Sequence, residues 1–308
     1  MATGKIRFAV LVKPGDKQPA IERAVQYAKF APDIEVVAIR IVNDFTESDK
    51  EQKRIQAESE LDRLKREFPG IAHFEKKIIF NKNVADSFVA ECNQEDVYSL
   101  AIISANKRNT IKDLFVSTID STIMRSISIP LLVVKDVLST VSLGKAIVVA
   151  IDFEETEHLA ALDEYLFKAA SLFAEKFNGE VHVVNCVPPV SHGISGRETE
   201  GISKMASVGA QDRFDTHEKI VQDFAEKHKL PVECVHVVKG RLDEEIPRLC
   251  VTLQARMVCM GTTPRSSFLG AMDSIAGELV LEQIRGDLFI VNSSHLGDKG
   301  TKDDDEEY

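Results

Sequence analysis

The stretch K-A-I-V-V-A-I-D, residues 145–152, is an apolar run that ends on a carboxylate. A helical pattern follows it over residues 156–177, and a second apolar run, E-V-H-V-V-N-C-V, occupies residues 180–187. Near-continuous apolar strands are typical of a parallel sheet that is buried on both faces. Parallel neighbours need a crossover connection, which is usually a helix. This stretch therefore predicts an α/β fold built on a parallel sheet.

The remainder of the second half continues the same alternation. A polar loop over residues 188–203 leads into a long helix that ends near His228. The next predicted elements alternate between strand and helix over residues 232–238, 243–253, 256–261, 274–284 and 288–292. This half therefore contains five predicted strands separated by four helices.

The first half repeats this order. Its strands and helices are predicted, in alternation, over residues 7–12, 19–30, 35–42, 47–68, 74–80, 84–92, 99–104, 118–125 and 130–134. Lys13 at the end of the first strand stands opposite Asp152, which indicates a duplicated domain rather than a solenoid of short repeats. We predict two tandem doubly wound domains, each with a five-stranded parallel sheet and helices on both faces. The predicted domains span residues 1–136 and 144–293, and residues 294–308 are predicted to form an acidic, disordered tail.

The composition excludes several classes of function. The formal net charge of −11 opposes binding to nucleic acid or to an anionic membrane, because both require concentrated Lys and Arg. No apolar run approaches the roughly 20 residues of a membrane helix, and the first residues lack a signal-peptide core. Five cysteines without a C-x-x-C pair fit a reducing compartment, so we expect a cytoplasmic protein. No histidine spacing indicates a metal site, and the P-loop signature is absent.

Two strand ends in the second half carry residues that suit a ligand. Asp152 places a carboxylate at the carboxyl edge of the sheet, where α/β proteins bind ligands. It suits a ribose hydroxyl or an adenine amino group, and it equally suits the cap of the following helix. Gly261 opens a loop rich in Thr and Ser, whose N–H groups and hydroxyls suit a phosphate. An ordinary strand-to-helix connection explains this loop as well.

These residues resemble the tandem universal stress protein family, of the E type, over about residues 5–293. Family members whose domains bind ATP have an Asp at the end of the first strand and a G-x2-G-x9-G-[S/T] loop after the fourth. Asp152, Gly261 and Ser274 match that pattern. The resemblance implies an adenine nucleotide alpha hydrolase-like fold and a nucleotide-type cleft in the second domain. The residues assigned to this cleft are Ala150, Asp152, Val183, Met260, Gly261, Thr262 and Ser274.

The match weakens where phosphate contact is closest. Pro264 stands at the second glycine and has no N–H to donate, and Asp273 lies near the third, where it would repel a triphosphate. In the first half, Lys13 replaces the Asp and no glycine occurs at residues 104–107, so we expect this nucleotide site to be lost. Lys13 and Lys107 are then either anion contacts or solvated surface lysines.

The loop at residues 192–203 is long for its position. As a hinged lid over the second-half cleft it would bring Arg197 to a ligand, and a plain mobile loop is the alternative.

The resemblance implies a cytoplasmic stress-response protein that binds or senses a ligand without catalysis. The candidate cofactor is ATP or another adenine nucleotide, and no metal is implied. The alternatives are a weak ATP-binding or ATP-hydrolysing protein, and a binder of a different small or apolar ligand in the same cleft. The strands L-L-V-V and L-F-I-V are expected to pair, so that the halves form an intramolecular pseudo-dimer. A homodimer is also expected.

Overall fold

The computed structural model of the chain describes residues 6–31, 33–105, 118–135, 145–151, 157–187, 200–262 and 270–297. Of residues 157–159, 200–210, 270–276 and 297 it describes the backbone only. The strands in these ranges are β1 (Arg7–Val12), β2 (Glu35–Val42), β3 (His73–Phe80), β4 (Leu100–Ser104), β5 (Leu131–Val134), β6 (Ala146–Ala150), β7 (Glu180–Val187), β8 (Val235–Lys239), β9 (Met257–Thr262) and β10 (Asp287–Asn292). The helices are α1 (Pro19–Ala28), α2 (Lys50–Glu67), α3 (Val84–Cys92), α4 (Thr118–Ser126), α5 (Glu157–Phe177), α6 (Glu200–His228), α7 (Leu242–Leu253), α8 (Gly270–Gln283) and α9 (Ser294–Gly297).

The alternation of strands and helices follows the predicted order, with three local differences. The segment predicted as a strand from residue 232 begins with a 3-10 helix, Val232–Cys234, because Pro231 introduces a turn that the Cys234 N–H closes onto the Pro231 carbonyl. Helix α8 begins at Gly270, one turn earlier than predicted. Helix α9 occupies the first four residues of the segment predicted as a disordered tail, and residues 298–308 lie outside the described residues.

The chain divides into two compact units, residues 1–141 with 262–308, and residues 142–261. In the first unit the strands lie in the order β3-β2-β1-β4-β5-β10, and the first five are parallel, as predicted. In the second unit, strands β9-β6-β7-β8 are parallel neighbours.

Strand β10 belongs to the first unit because it pairs antiparallel with β5, with Leu288 opposite Val133 and Ile290 opposite Leu131. The expectation that the L-L-V-V and L-F-I-V strands pair is therefore confirmed. The compact units differ from the predicted domains in this segment, since residues 262–293 were assigned to the second domain from the sequence repeat. The limits of the repeat itself stay a prediction.

Four of the described inner strands are buried along their whole length, as their apolar runs predict. Every residue of β4, β5, β6 and β10 is buried, whereas the edge strand β3 is partly exposed. A single charged side chain interrupts the apolar run of β2, namely Arg40, which is 9% exposed. Within the described ranges, no helix combines the length and the apolarity that crossing a membrane requires.

A buried charge cluster holds the start of β10 against α1 and β5. The Asp287 carboxylate is fully buried, with Oδ2 2.7 Å from Arg23 Nε, and its Oδ1 accepts a hydrogen bond of 3.0 Å from the Lys135 N–H. Neither Arg23 Nε nor Asp287 Oδ2 has a hydrogen-bond partner among the described residues. The contact between them is therefore close but poorly aligned for a hydrogen bond. Burial is the largest influence on the Asp287 carboxyl and raises its pKa to about 6, against the opposing charges of Arg23 and Lys135.

Candidate ligand-binding site

The strand order of the first unit places a crevice at the carboxyl end of β1. Strand β1 lies between β2 and β4, with Val10 opposite Ala38 on one side and Ile102 on the other. The chain passes from β1 to β2 on one side and, after β3, enters β4 on the other side, so the strand order reverses at β1. Doubly wound sheets bind ligands at such a reversal. The residues that follow β1 and end β4 therefore decide whether the crevice is open.

Lys13 fills this crevice from within. Its ammonium group donates to the Ser104 carbonyl and lies 3.8 Å from the carboxylate of Asp120, whose side chain is 2% exposed. Burial lowers the pKa of Lys13, and the charge of Asp120 opposes that shift. Lys13 was predicted as either an anion contact or a solvated surface lysine; in the structure its ammonium group contacts groups of the chain itself. Lys107, its predicted companion, lies outside the described residues.

Hydrogen bonds close the loop after β1 around the same point. The buried Gln18 side chain donates to the carbonyls of Lys13 and Gly15 at 2.6 and 2.9 Å and accepts from the Lys13 N–H at 3.3 Å. The Ser104 hydroxyl accepts from the Ala20 N–H at 3.0 Å, which satisfies a donor in the first turn of α1. The Ala20 N–H at the start of α1 is thus hydrogen-bonded to another group of the protein.

The second unit has the corresponding reversal at β6, which lies between β7 and β9. Val149 is opposite Val183 on one side and Cys259 on the other. Ala150, Val183 and Met260, three of the predicted cleft residues, are buried in this part of the sheet, with exposures of 8%, 0% and 3%. They can line the floor of a cleft, and they offer a ligand apolar contact only.

Gly261 has a packing role that the sequence did not reveal. A Cβ atom at this position would lie 2.5 Å from Leu162 Cδ2 and 3.6 Å from Leu166 Cδ1, so the missing side chain makes room for helix α5. The next residue, Thr262, has a buried hydroxyl with no hydrogen-bond partner in the described part of the chain, and its carbonyl accepts from the Ser293 N–H at 2.8 Å. Such a buried hydroxyl requires a partner.

Three predicted site residues, Asp152, Arg197 and Lys107, lie outside the described residues, as does Pro264. Ser274 lies in helix α8, of which only the backbone is described at that position. Across the described ranges, no three His, Cys, Asp or Glu side chains come together as a metal-type group.

A polar pair beside the reversal in the second unit was missed from the sequence. Asn185 of β7 is 2% exposed, donates to the Ile151 carbonyl at 2.8 Å, and lies with Oδ1 2.9 Å from His217 Nδ1 of α6. Burial, and then the nearby charge of Arg213, lower the pKa of His217. A neutral imidazole that donates to the Asn185 amide oxygen satisfies both groups.

The first unit has a pair in the same place. Arg40 is the sixth residue of β2, as Asn185 is of β7, and its guanidinium bonds Glu60 of α2. These pairs could have been predicted from one pattern in the sequence. A polar residue stands at the sixth position of both aligned strands, E-V-V-A-I-R-I-V and E-V-H-V-V-N-C-V. A buried polar side chain in an apolar strand needs a partner from a neighbouring element.

The family model described as "Universal stress protein family" matches residues 144–291. This half of the chain belongs to the universal stress protein family. Curated relatives include universal stress protein E of Salmonella typhi, 26% identical over 68% of this chain and 66% of its own length. Universal stress protein E of Escherichia coli strain K12 is 25% identical over 76% of this chain and 72% of its own length. The resemblance to the tandem, E-type universal stress proteins is confirmed, and family membership supports a function in the stress response.

Solved structures with the universal stress protein fold superpose on almost the whole chain. A functionally unknown protein of Pseudomonas aeruginosa PAO1 superposes with a TM-score of 0.70 at 18% identity, covering 95% of this chain and 97% of its own. A universal stress protein of Archaeoglobus fulgidus superposes with a TM-score of 0.63 at 12% identity, covering 93% and 96%. The predicted adenine nucleotide alpha hydrolase-like α/β fold is confirmed by these likenesses.

Proposed function

We propose that this chain is a non-catalytic ligand-binding or ligand-sensing module of the stress response, with its ligand cleft in the second half. The observation that carries this proposal is the closed crevice of the first unit, in which Lys13 contacts both the Ser104 carbonyl and the Asp120 carboxylate. An anion entering there would have to displace Lys13 from a buried carboxylate, which is costly. Two similar halves thus have unequal roles, and the first acts as a partner domain.

For the second half we propose a degraded ATP-type site that includes Asp152, Gly261, Thr262 and Ser274. The Thr262 hydroxyl has no hydrogen-bond partner among the described residues, which supports a ligand at this strand end, since a buried hydroxyl requires a hydrogen-bonding group. The packing of Leu162 against Gly261 supports the alternative, a different small ligand in the same cleft, because this glycine then serves the protein core. Pro264, which has no N–H, favours the alternative as well.

Calorimetric titration of the full chain with ATP, with and without Mg²⁺, separates these two versions. The ATP-type site is supported if ATP binds at micromolar to millimolar concentration and if this binding is lost in Asp152→Ala. The exposed control Asp16→Ala should keep it. No heat and no thermal shift at millimolar ATP rejects it and leaves the different ligand. Mass spectrometry of small molecules released on denaturation then identifies that ligand directly.

The proposal excludes dedicated catalysis, and the weak ATP hydrolase is the competing function. No described group beside the second-half cleft provides the paired acid and base that hydrolysis needs. Phosphate release measured on the purified chain tests this point. Turnover that disappears in Asp152→Ala would establish the hydrolase and overturn the non-catalytic module.

We further propose that the protein acts in the cytoplasm and that two chains associate as a homodimer. Five cysteines without a C-x-x-C pair support a location in the cytoplasm. The resemblance to the family supports the homodimer. Sedimentation of the full chain at micromolar concentration tests the dimer, and a monomer under these conditions would remove it.

A further inference from the structure

Arg40 is buried inside the first unit, flanked in β2 by the apolar residues Ile39 and Ile41. Its Nε donates to Glu60 Oε2 at 3.0 Å, and its Nη1 donates to the Ile41 carbonyl at 2.7 Å. Within the described part of the chain, Nη2 has no hydrogen-bond partner. A guanidinium fixed on one side by two bonds presents its remaining N–H groups in a preorganised direction.

Arg40 lines a cavity of about 300 Å³ at the carboxyl ends of β1 and β2. This volume is at the lower end for small-molecule sites, so the cavity suits a small ligand. Pro14, Val42 and Ala57 provide apolar wall, and Asn43 and Gln56 provide amides. The full set of lining residues is Pro14, Arg40, Val42, Asn43, Asp44, Lys53, Gln56, Ala57 and Glu60.

The charges around the cavity balance. Its lining contains two cations, Arg40 and Lys53, and two carboxylates, Asp44 and Glu60, with Lys53 Nζ 2.6 Å from Asp44 Oδ2. The hydrogen bond from Lys53 is the largest cause of the lowered pKa of Asp44, and the charge of Arg40 contributes to it as well. A simple anion gains little from a neutral lining, because every cation it approaches has a carboxylate beside it. A molecule that carries both charges can satisfy both kinds of group.

The corresponding position of the second unit lacks this arrangement. Asn185 replaces Arg40, and its amide is bonded to the Ile151 carbonyl and to His217. Among the described residues, the Arg–Glu pair at this aligned strand position is therefore found in the first unit.

We propose that the first unit binds a small zwitterion of the α-amino acid type in the cavity beside Arg40. The ligand carboxylate lies against the Nη2 edge of Arg40, and the ammonium group lies against the carboxylates of Asp44 and Glu60. The apolar wall at Val42 and Ala57 contacts the ligand side chain. This site is separate from the second-half cleft, so its failure would leave the proposed function untouched.

Thermal shift of the full chain with each of the twenty common L-amino acids tests the proposal, with acetate, methylamine and inorganic phosphate as single-charge probes. At about ten times Kd, a bound amino acid is expected to raise Tm by about 3–6 °C. Acetate, methylamine and phosphate are expected to leave Tm unchanged at the same concentration. An equal shift with any of the three would show a simple ion site and overturn the zwitterion.

Variants then assign the shift to the cavity. Arg40→Met removes the guanidinium. Gln56→Trp fills the cavity from an exposed helix position and keeps all four charged side chains, although it removes the 3.4 Å hydrogen bond from Gln56 to Glu60. Gln56→Trp therefore remains informative if Arg40→Met does not fold. Both are expected to abolish the shift. Arg66→Met, an exposed position in the last turn of the same helix, is the matched control and should keep it. No shift with any amino acid, or a shift that persists in Gln56→Trp, overturns the proposal.

Discussion

Lys13 and Asp120 neutralise one another at the end of β1, where the first unit would otherwise be open. Replacing Lys13 by Met removes the ammonium group that lies 3.8 Å from the buried Asp120 carboxylate and removes one hydrogen bond to the Ser104 carbonyl. We expect a loss of about 2–4 kcal/mol in the free energy of unfolding, measured by urea denaturation.

The exposed Lys17→Met is the matched control for this loss and should change stability by less than about 0.5 kcal/mol. In Lys13→Met/Asp120→Asn the loss should be smaller than the sum of the two single losses, because the pair is then removed together. Full stability of Lys13→Met would show that the ammonium contributes nothing to the closed crevice.

Gly261 shows how one position can be explained by packing or by ligand contact. If its role is to admit Leu162, Gly261→Ala destabilises the chain by about 1–3 kcal/mol, since the new methyl overlaps a buried side chain. In a Leu162→Ala background the same substitution should cost little, because the overlap is gone. A double-mutant cycle by urea denaturation checks this, and strictly additive losses would contradict the packing role.

At the scale of elements, the buried cluster at the start of β10 makes stability depend on pH. The Asp287 carboxyl has a pKa of about 6 in the folded chain, above its ordinary value of 3.8, so the folded state binds this proton more tightly. Its contribution to stability is complete below about pH 4 and is lost as the pH rises to about 6. Asp287→Asn is neutral throughout and should match the parent near pH 4 and exceed it by up to about 3 kcal/mol at pH 7.

Unfolding free energies measured from pH 4 to pH 7 test this expectation, with the exposed Asp33→Asn as the control that should follow the parent curve. The result also decides whether the contact between Arg23 and Asp287 is favourable. An Asp287→Asn chain less stable than the parent at pH 7 would show that the ion pair outweighs the cost of burying it.

The sequence predicts elements of this protein better than it predicts its site. Nearly continuous apolar runs identify the strands β1, β4, β6 and β10, because burial on both faces of the sheet selects them directly. The pairs Arg40–Glu60 and Lys13–Asp120 join residues far apart in sequence, and no periodicity reports such contacts. The role of Gly261 depends on where Leu162 of a different element lies, which only the folded chain defines.

For the molecule as a whole, the pairing of β5 with β10 protects an apolar edge. A chain ending at residue 286 lacks β10 and leaves Leu131–Val134 without its antiparallel neighbour. An exposed apolar edge strand pairs with other chains, so we expect concentration-dependent association in sedimentation experiments. A chain ending at residue 297 keeps β10 and should sediment as the full chain does. Identical behaviour of the two truncated chains would contradict a protective role for β10.

The placement of β10 in the first unit also determines when that unit can complete its folding during synthesis on the ribosome. Residues 142–261 form a unit whose strands are all synthesised before the last strand emerges, whereas the sheet that begins at residue 7 is completed only by residues 287–292. The N-terminal part must therefore wait through almost the entire synthesis of the polypeptide with the β5 edge uncovered. We expect such a nascent chain to need chaperones for that interval, because the unit that is started first is the last to be completed.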